Sequence, residues 1–354
     1  MPFRDLVNQS HAVMLLRGAQ KRDHVAHAYL FAGPAGVGRY EAAVAFAQLM
    51  NCERPHAVSG DACGECRPCR LIAAGQHPDV RTVDVERGLL LNTDPEEQKK
   101  KVISIEQVRA LRREVAFPPL EGRAKVYILV DADRMQAEAA NSLLKILEEP
   151  PPRVVIILIA ESTVPMLPTV VSRCQLVRFT LIPAAEIEQA LVRRHGLDPA
   201  RARFIAALAG GQFGKAVAWA TASEALAWRE ETLDLLERLE TADALQRIDA
   251  AEAAAKDRER LAELLDVALF WYRDILVWQE LRDAAHLINL DRRDRIAALA
   301  AVLPGAVLAQ RVRAVEEAKD DLRRNVHPRL LLEHLFLRLT PPRPVAPGGV
   351  QPAR

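Results

Sequence analysis

Phe31-Ala-Gly-Pro-Ala-Gly-Val-Gly-Arg39-Tyr40 begins at the end of an apolar run, Ala28 to Ala32, and leads into an amphipathic segment, Glu41 to Met50. A strand that enters a glycine-rich turn and leaves as a helix is the setting of a phosphate-binding loop. There Gly33, Gly36 and Gly38 leave backbone N–H groups free to cradle phosphate. The pattern then requires Lys, which reaches the terminal phosphates, and Ser or Thr, whose hydroxyl holds magnesium. This chain carries Arg39 and Tyr40 instead. A guanidinium keeps the charge but is too broad to act as a point-charge ammonium, and a phenol ring does not fit beside the metal. The expectation is a vestigial loop, Gly33, Gly36, Gly38 and Arg39, at which ATP is not productively bound.

Around this loop the first 181 residues alternate strand and helix, as a parallel sheet with crossover helices does. Strands are expected at Tyr29–Ala32, Val80–Val85, Val126–Val130, Val154–Ala160 and Leu176–Phe179. A helix is expected over Met135–Glu149, with Met135, Ala139, Leu143, Leu144 and Leu147 on one face and a stop at Pro150-Pro-Pro. The polar stretch between Glu86 and Lys101 has no period and reads as an exposed loop. From Leu181 onward the chain is helical. Ala184–His195, Pro199–Ala209 and Gln212–Thr221 form a small unit within 182–222. Longer helices follow in 223–340, with apolar periodicity around Leu261–Trp278 and Val307–Arg323. The Pro/Gly-rich tail 341–354 has too little to bury and is expected to be disordered.

Composition narrows the function classes. The chain has 354 residues, enough for two or three cores, and half are apolar but only 5% aromatic. With 48 basic and 47 acidic side chains the net charge is +1, so a protein that grips DNA chiefly through its own phosphate contacts is not indicated. No apolar run approaches the ~20 residues needed to span a bilayer, and MPFRDLVNQS lacks a signal core. A soluble, cytoplasmic protein without membrane association is expected.

Four of the five cysteines cluster as C-x10-C-x2-C-x2-C: Cys52, Cys63, Cys66 and Cys69. Two-residue gaps let successive thiolates converge on one ion, with Gly60, Gly64 and Pro68 supplying the turns. Four sulfurs suit a closed, tetrahedral, structural Zn2+ site. The run also resembles part of an iron–sulfur motif, but the final C-x3-C-P piece is absent, so ligand spacing favours zinc. Cys174 stands apart and reads as a small core residue.

Lys125 to Asp131 is an apolar strand ending in an acid, the arrangement that helps hold magnesium in an ATPase. The next residue, where a water-polarising Glu is required, is Ala132. Asp133 is expected to point to the other side of an extended strand end, and Asp131 alone can equally be a turn cap. Glu161-Ser162-Thr163 follows the next strand, where such folds place a γ-phosphate sensor, and Ser172-Arg173-Cys174 precedes the last.

Taken in order, these blocks resemble the bacterial DNA polymerase III clamp-loader subunits of the AAA+ family, and among them the delta-prime type. The blocks that carry the resemblance are Asn8-Gln9, His27-Ala-Tyr-Leu-Phe-Ala-Gly-Pro, the cysteine cluster, Ile105-Glu-Gln-Val-Arg109 and Asp131-Ala-Asp-Arg-Met135. Asn141-Ser-Leu-Leu-Lys-Ile-Leu-Glu-Glu-Pro-Pro151 and Ser172-Arg-Cys174 complete it. The likeness covers roughly 1–222; beyond that it rests on Asn325-Val-His-Pro-Arg-Leu-Leu-Leu-Glu-His-Leu and on architecture. It implies an AAA+ core with a zinc knuckle (1–181), a helical lid (182–222) and a helical collar for oligomerisation (223–340).

Motor subunits of that complex, gamma/tau, carry an intact Lys-Thr loop, an Asp-Glu pair and a lid Arg. Here Arg39, Tyr40, Ala132 and Gly214 stand at those positions, and four departures that all remove nucleotide chemistry match the delta-prime pattern. The resemblance implies partners: gamma/tau and delta subunits, with the sliding clamp and primer-template DNA reached through the complex. It also implies a role for Arg173 as an arginine finger acting in trans on a neighbour's ATP, with no ATPase activity of the chain alone. Two rivals are an active ATPase using Arg39 and Asp133 unconventionally, and a free-standing zinc module binding DNA. Low aromatic content and near-neutral charge weigh against the second.

Overall fold

A computed structural model describes residues 2–85, 91, 102–221, 223–257, 260–324 and 326–339. Of the polar stretch at 87–101 only Leu91 falls among them; the tail 341–354 and Asn325 lie outside the described residues. The chain forms two compact units, 1–217 and 218–354.

The first unit is built on five parallel strands: β1 (Ala28–Ala32), β2 (Val80–Val83), β3 (Lys125–Leu129), β4 (Val154–Ala160) and β5 (Gln175–Arg178). Their order is β2-β3-β4-β1-β5. The inner strands β1, β3 and β4 are buried along their whole length, because helices cover both faces of a parallel sheet. Hence AYLFA, KVYIL and VVIILIA read as near-continuous apolar runs, while the edge strands VRTV and QLVR admit polar side chains. Alternation still sorts the layers. Tyr29 and Phe31 join Phe3, Leu16 and Phe46 on one face, and Ala28 and Leu30 join Tyr127, Leu143, Leu147 and Leu158 on the other.

Helix α1 spans Ser10–Lys21 and α2 spans Arg39–Asn51. Small residues let α2 sink into the first layer, where Ala42, Ala43, Ala45 and Ala47 are fully buried with Phe46. The helix Ile105–Val115 is capped by Ser104, whose hydroxyl accepts from the Gln107 amide. The helix expected from Met135 begins two residues later, at Ala137, and ends at Glu148. Met135 instead closes a 3-10 turn, and Ile146 joins the buried face. Helices Ala184–His195, Pro199–Leu208 and the first part of Phe213–Thr221 complete this unit.

The second unit is all helical. Its axis is Leu261–Leu281, where Leu261, Leu265, Ala268, Trp271, Tyr272 and Ile275 recur at helical spacing and are buried. Gly305–Arg323 and Arg293–Val302 pack against it, and Ala244–Ala254 pairs with Pro328–Arg338. The fold is therefore α/β followed by all-α. Among the described residues no single helix is long and apolar enough to cross a membrane.

Candidate functional site

The glycine loop leaves β1 with the backbone geometry a phosphate cradle needs. Gly36 and Gly38 sit at φ +68° and +99°, in the left-handed region that favours glycine. At Gly33 the constraint is space, since a Cβ would lie 2.3 Å from the Phe179 carbonyl oxygen. The buried side chain of Gln9 ties the loop to the end of β5: its Nε2 donates to the carbonyls of Val37 (3.3 Å) and Thr180 (2.8 Å).

Of the two substituted side chains, Arg39 is buried and Tyr40 partly buried. Tyr40 turns into the first core layer, where its hydroxyl lies 3.4 Å from Thr82 Oγ1 on β2. Arg39 is buried, 8% exposed, and its Nη1 has no hydrogen-bond partner among the described residues. Burial pushes its guanidinium below the ordinary value, against the opposing pull of Glu161, Asp133, Asp131 and Glu41.

Asp133 departs from the extended geometry expected for it. Asp131 takes a left-handed conformation (φ +54°), and Ala132–Arg134 make one 3-10 turn. That turn brings Asp133 Oδ2 to the amides of Glu161 (3.1 Å) and Ser162 (3.4 Å), so it fastens the loop after β4. Its charge also pulls the Arg39 guanidinium upward, against burial. Ala132 is buried and offers no proton acceptor.

Gly214 lies directly on the glycine loop. Its amide donates to the Gly36 carbonyl at 2.8 Å, and a Cβ at Gly214 would sit 3.3 Å from Gly36 Cα. A Cβ at Gly36 would meet Gln212 Cβ at 3.2 Å.

Arg173 lies at the other end of the sheet. Tyr29 pairs with Gln175 and Ala32 with Arg178, so Arg173 precedes the start of β5, whereas Gly33 follows the end of β1. At about 3.3 Å per residue that separates them by roughly 20 Å along the strand direction. Its guanidinium is partly exposed and held on its own side by Thr169 and Glu148. Glu148 belongs to the Asn141–Pro151 run but was not singled out from sequence; only proximity in space reveals it. Burial pushes the neighbouring Cys174 thiol up to about 12, which fits an inert core residue.

The four clustered cysteines converge as the spacing requires. All are unbridged, and their sulfurs lie within 4.8 Å of one another. Four sulfurs at ~2.3 Å from one ion would be ~3.8 Å apart, so the donor set fits a closed tetrahedral zinc knuckle. Backbone amides already face the sulfurs: Cys63 N to Cys52 Sγ at 3.3 Å, and Cys66 N and Glu65 N to Cys63 Sγ at 3.3 and 3.4 Å. Burial works against ionisation at Cys63, but these donors hold its thiol down to about 6.

The knuckle is clasped by Asp61, a residue the sequence did not mark. Its Oδ1 accepts from the Phe3 amide (3.1 Å), and its Oδ2 accepts from the Arg4 amide (2.9 Å) and Arg17 Nη2 (2.8 Å).

Known proteins align with this arrangement throughout. Residues 8–183 match the family model described as DNA polymerase III, delta subunit, and residues 227–340 match the one described as its C-terminal part. The DNA polymerase III subunit delta' of Bacillus subtilis is 32% identical over 334 residues, 94% of this chain and 96% of that protein. The delta' subunit of Pseudomonas aeruginosa is 41% identical over 187 residues, 52% of this chain and 53% of that protein. The tau subunit of Bacillus subtilis matches at 34% over 185 residues, covering 52% of this chain and 30% of its own. The family models together with a match spanning nearly the full length of a delta' relative converge on one assignment: the chain belongs to the DNA polymerase III delta' subunit family.

Proposed function

We propose that this chain is the non-hydrolysing subunit of the DNA polymerase III clamp loader. In this role it assembles with gamma/tau and delta subunits, supports ATP-dependent loading of the sliding clamp on primed DNA, and holds one structural zinc ion at Cys52, Cys63, Cys66 and Cys69. Its own glycine loop turns over no ATP: Arg39 replaces the point-charge lysine, the Tyr40 hydroxyl lies by Thr82 on β2, and Ala132 cannot polarise water. Arg173 reaches the γ-phosphate bound by an adjacent motor subunit.

The observation that carries this reading is the sheet register. A guanidinium that begins roughly 20 Å from its own glycine loop along the strand direction is too far to act there, which supports a role toward a second chain. Arginine fingers supplied in trans are worth about 10³–10⁵ in rate, or roughly 4–7 kcal/mol of barrier.

The test is ATP turnover by the purified chain alone and then mixed with motor and delta subunits, wild type beside Arg173→Ala. No turnover alone and an Arg173-dependent gain in the mixture are expected, with assembly unchanged. Robust turnover by the chain alone would make it a motor and overturn the reading.

A further inference from the structure

The guanidinium of Arg173 is tied at both ends to its own chain. Nη1 donates to the Thr169 carbonyl at 3.0 Å, and Nη2 meets Glu148 Oε1 at 2.8 Å. Glu148 is the last residue of the helix Ala137–Glu148, and Arg173 follows the short helix Pro168–Val171, so the pair joins the ends of two separate elements. The arginine side chain is 36% exposed and the glutamate 49%.

We propose that Glu148 is a positioning residue for the arginine finger. This inference rests on the trans role of Arg173 argued above. An unrestrained arginine samples many rotamers, and ordering it only at the moment of reaction would cost rate. Here one N–H on each terminal nitrogen is committed to an acceptor of the same chain, which fixes the plane of the fork. The Nε–H and the second N–H on each terminal nitrogen stay available for phosphate oxygens. Exposure makes the ion pair weak and easily adjusted. It therefore orients the fork without competing strongly with a phosphate.

The measurement is steady-state ATP hydrolysis by the reconstituted complex with clamp and primed DNA, over a range of ATP concentrations. The delta'-type chain is varied as wild type, Glu148→Ala, Glu148→Gln, Glu148→Lys, Glu149→Ala, Arg173→Ala and the Glu148→Ala/Arg173→Ala double variant. Glu148→Ala should lower kcat about two- to fivefold with KM for ATP unchanged. Glu148→Gln keeps an acceptor oxygen and should recover most of the rate, whereas Glu148→Lys, which places a like charge beside the finger, should lose more than the alanine variant.

Glu149→Ala removes the adjacent carboxylate and should match wild type. The double variant should equal Arg173→Ala, because Glu148 acts only through the arginine.

If Arg173→Ala costs nothing, the finger reading itself fails and this inference with it. If Arg173→Ala is impaired while Glu148→Ala and Glu148→Lys match wild type, the finger stands and Glu148 does not position it. A double variant markedly worse than Arg173→Ala would mean that Glu148 acts by another route, and would likewise overturn the inference.

Discussion

The amide of Gly214 donates to the carbonyl of Gly36 at 2.8 Å, which stitches the start of the helix Phe213–Thr221 to the glycine loop. The contact leaves little room for a side chain at Gly214, whose Cβ would sit 3.3 Å from Gly36 Cα. Gly36→Ala would force a Cβ to 3.2 Å from Gln212 Cβ at a φ of +68°. It should destabilise the first unit by about 1–3 kcal/mol, measured by urea unfolding. An unchanged midpoint would mean that the loop and this helix are not held together.

Metal analysis of the purified chain should give about one zinc per chain. Cys69→Ser should lose the metal and lower the Tm, since folding and binding at such a site share one free energy. Iron, or a folded preparation with no metal, would overturn the zinc assignment.

Stability should fall with acid in two stages, led by two residues just before β2, His77 and Asp79. His77 is buried and held below its ordinary value of 6.5, chiefly by burial, and its Nδ1 accepts from the Asp79 amide at 3.1 Å. Asp79 is fully buried; burial alone would raise it, but the amides of Leu120, Glu121 and Gly122 at 2.7–2.9 Å hold its carboxyl below the ordinary 3.8.

Both folded-state values are depressed, so in each case the unfolded chain takes up protons first as pH falls. The stabilisation is present above the ordinary value and is lost through the folded-state value, below 6.5 for His77 and below 3.8 for Asp79. Urea midpoints across pH should therefore decline from about pH 6.5 and more steeply from about pH 4. Asp79→Ala, which strands three amides, should cost about 3 kcal/mol; a neutral result would dismiss that anchor.

In the helical unit, Asp274 is fully buried and accepts from the Asn289 amide (2.7 Å), Asn289 Nδ2 (2.9 Å) and Arg273 Nη1 (2.8 Å). Asn289 in turn accepts from Arg229 Nη2 at 2.7 Å. Asp274→Ala should destabilise this unit by about 3–5 kcal/mol, read by thermal melting, with Asp274→Asn closer to wild type. A loss of less than about 1 kcal/mol would mean that the segment around Asn289 is held by packing and not by this carboxylate.

Much of the molecule was determined locally and so could be read from the chain. The inner strands β1 and β4 are apolar at every position because both faces are covered, and Gly36 and Gly38 mark left-handed backbone that side chains avoid. The Cys-x2-Cys spacing brings sulfurs together within a single turn, so Cys63, Cys66 and Cys69 needed only Cys52 from the preceding helix. That Arg39 and Tyr40 depart from the residues a phosphate loop uses could likewise be read, because such a loop tolerates few residue types at fixed offsets.

Only the tertiary structure decided which distant residues meet. The 3-10 turn at Ala132–Arg134 aims Asp133 at the loop after β4, and the fold packs Gly214 against Gly36 and Asp61 against the N-terminus. The parallel register sets Arg173 at the far end of the sheet from Gly33 and beside Glu148. Each of these contacts joins residues from separate elements. Local periodicity and spacing hold no record of such pairs; they exist because strand order and helix packing bring distant segments within hydrogen-bonding reach.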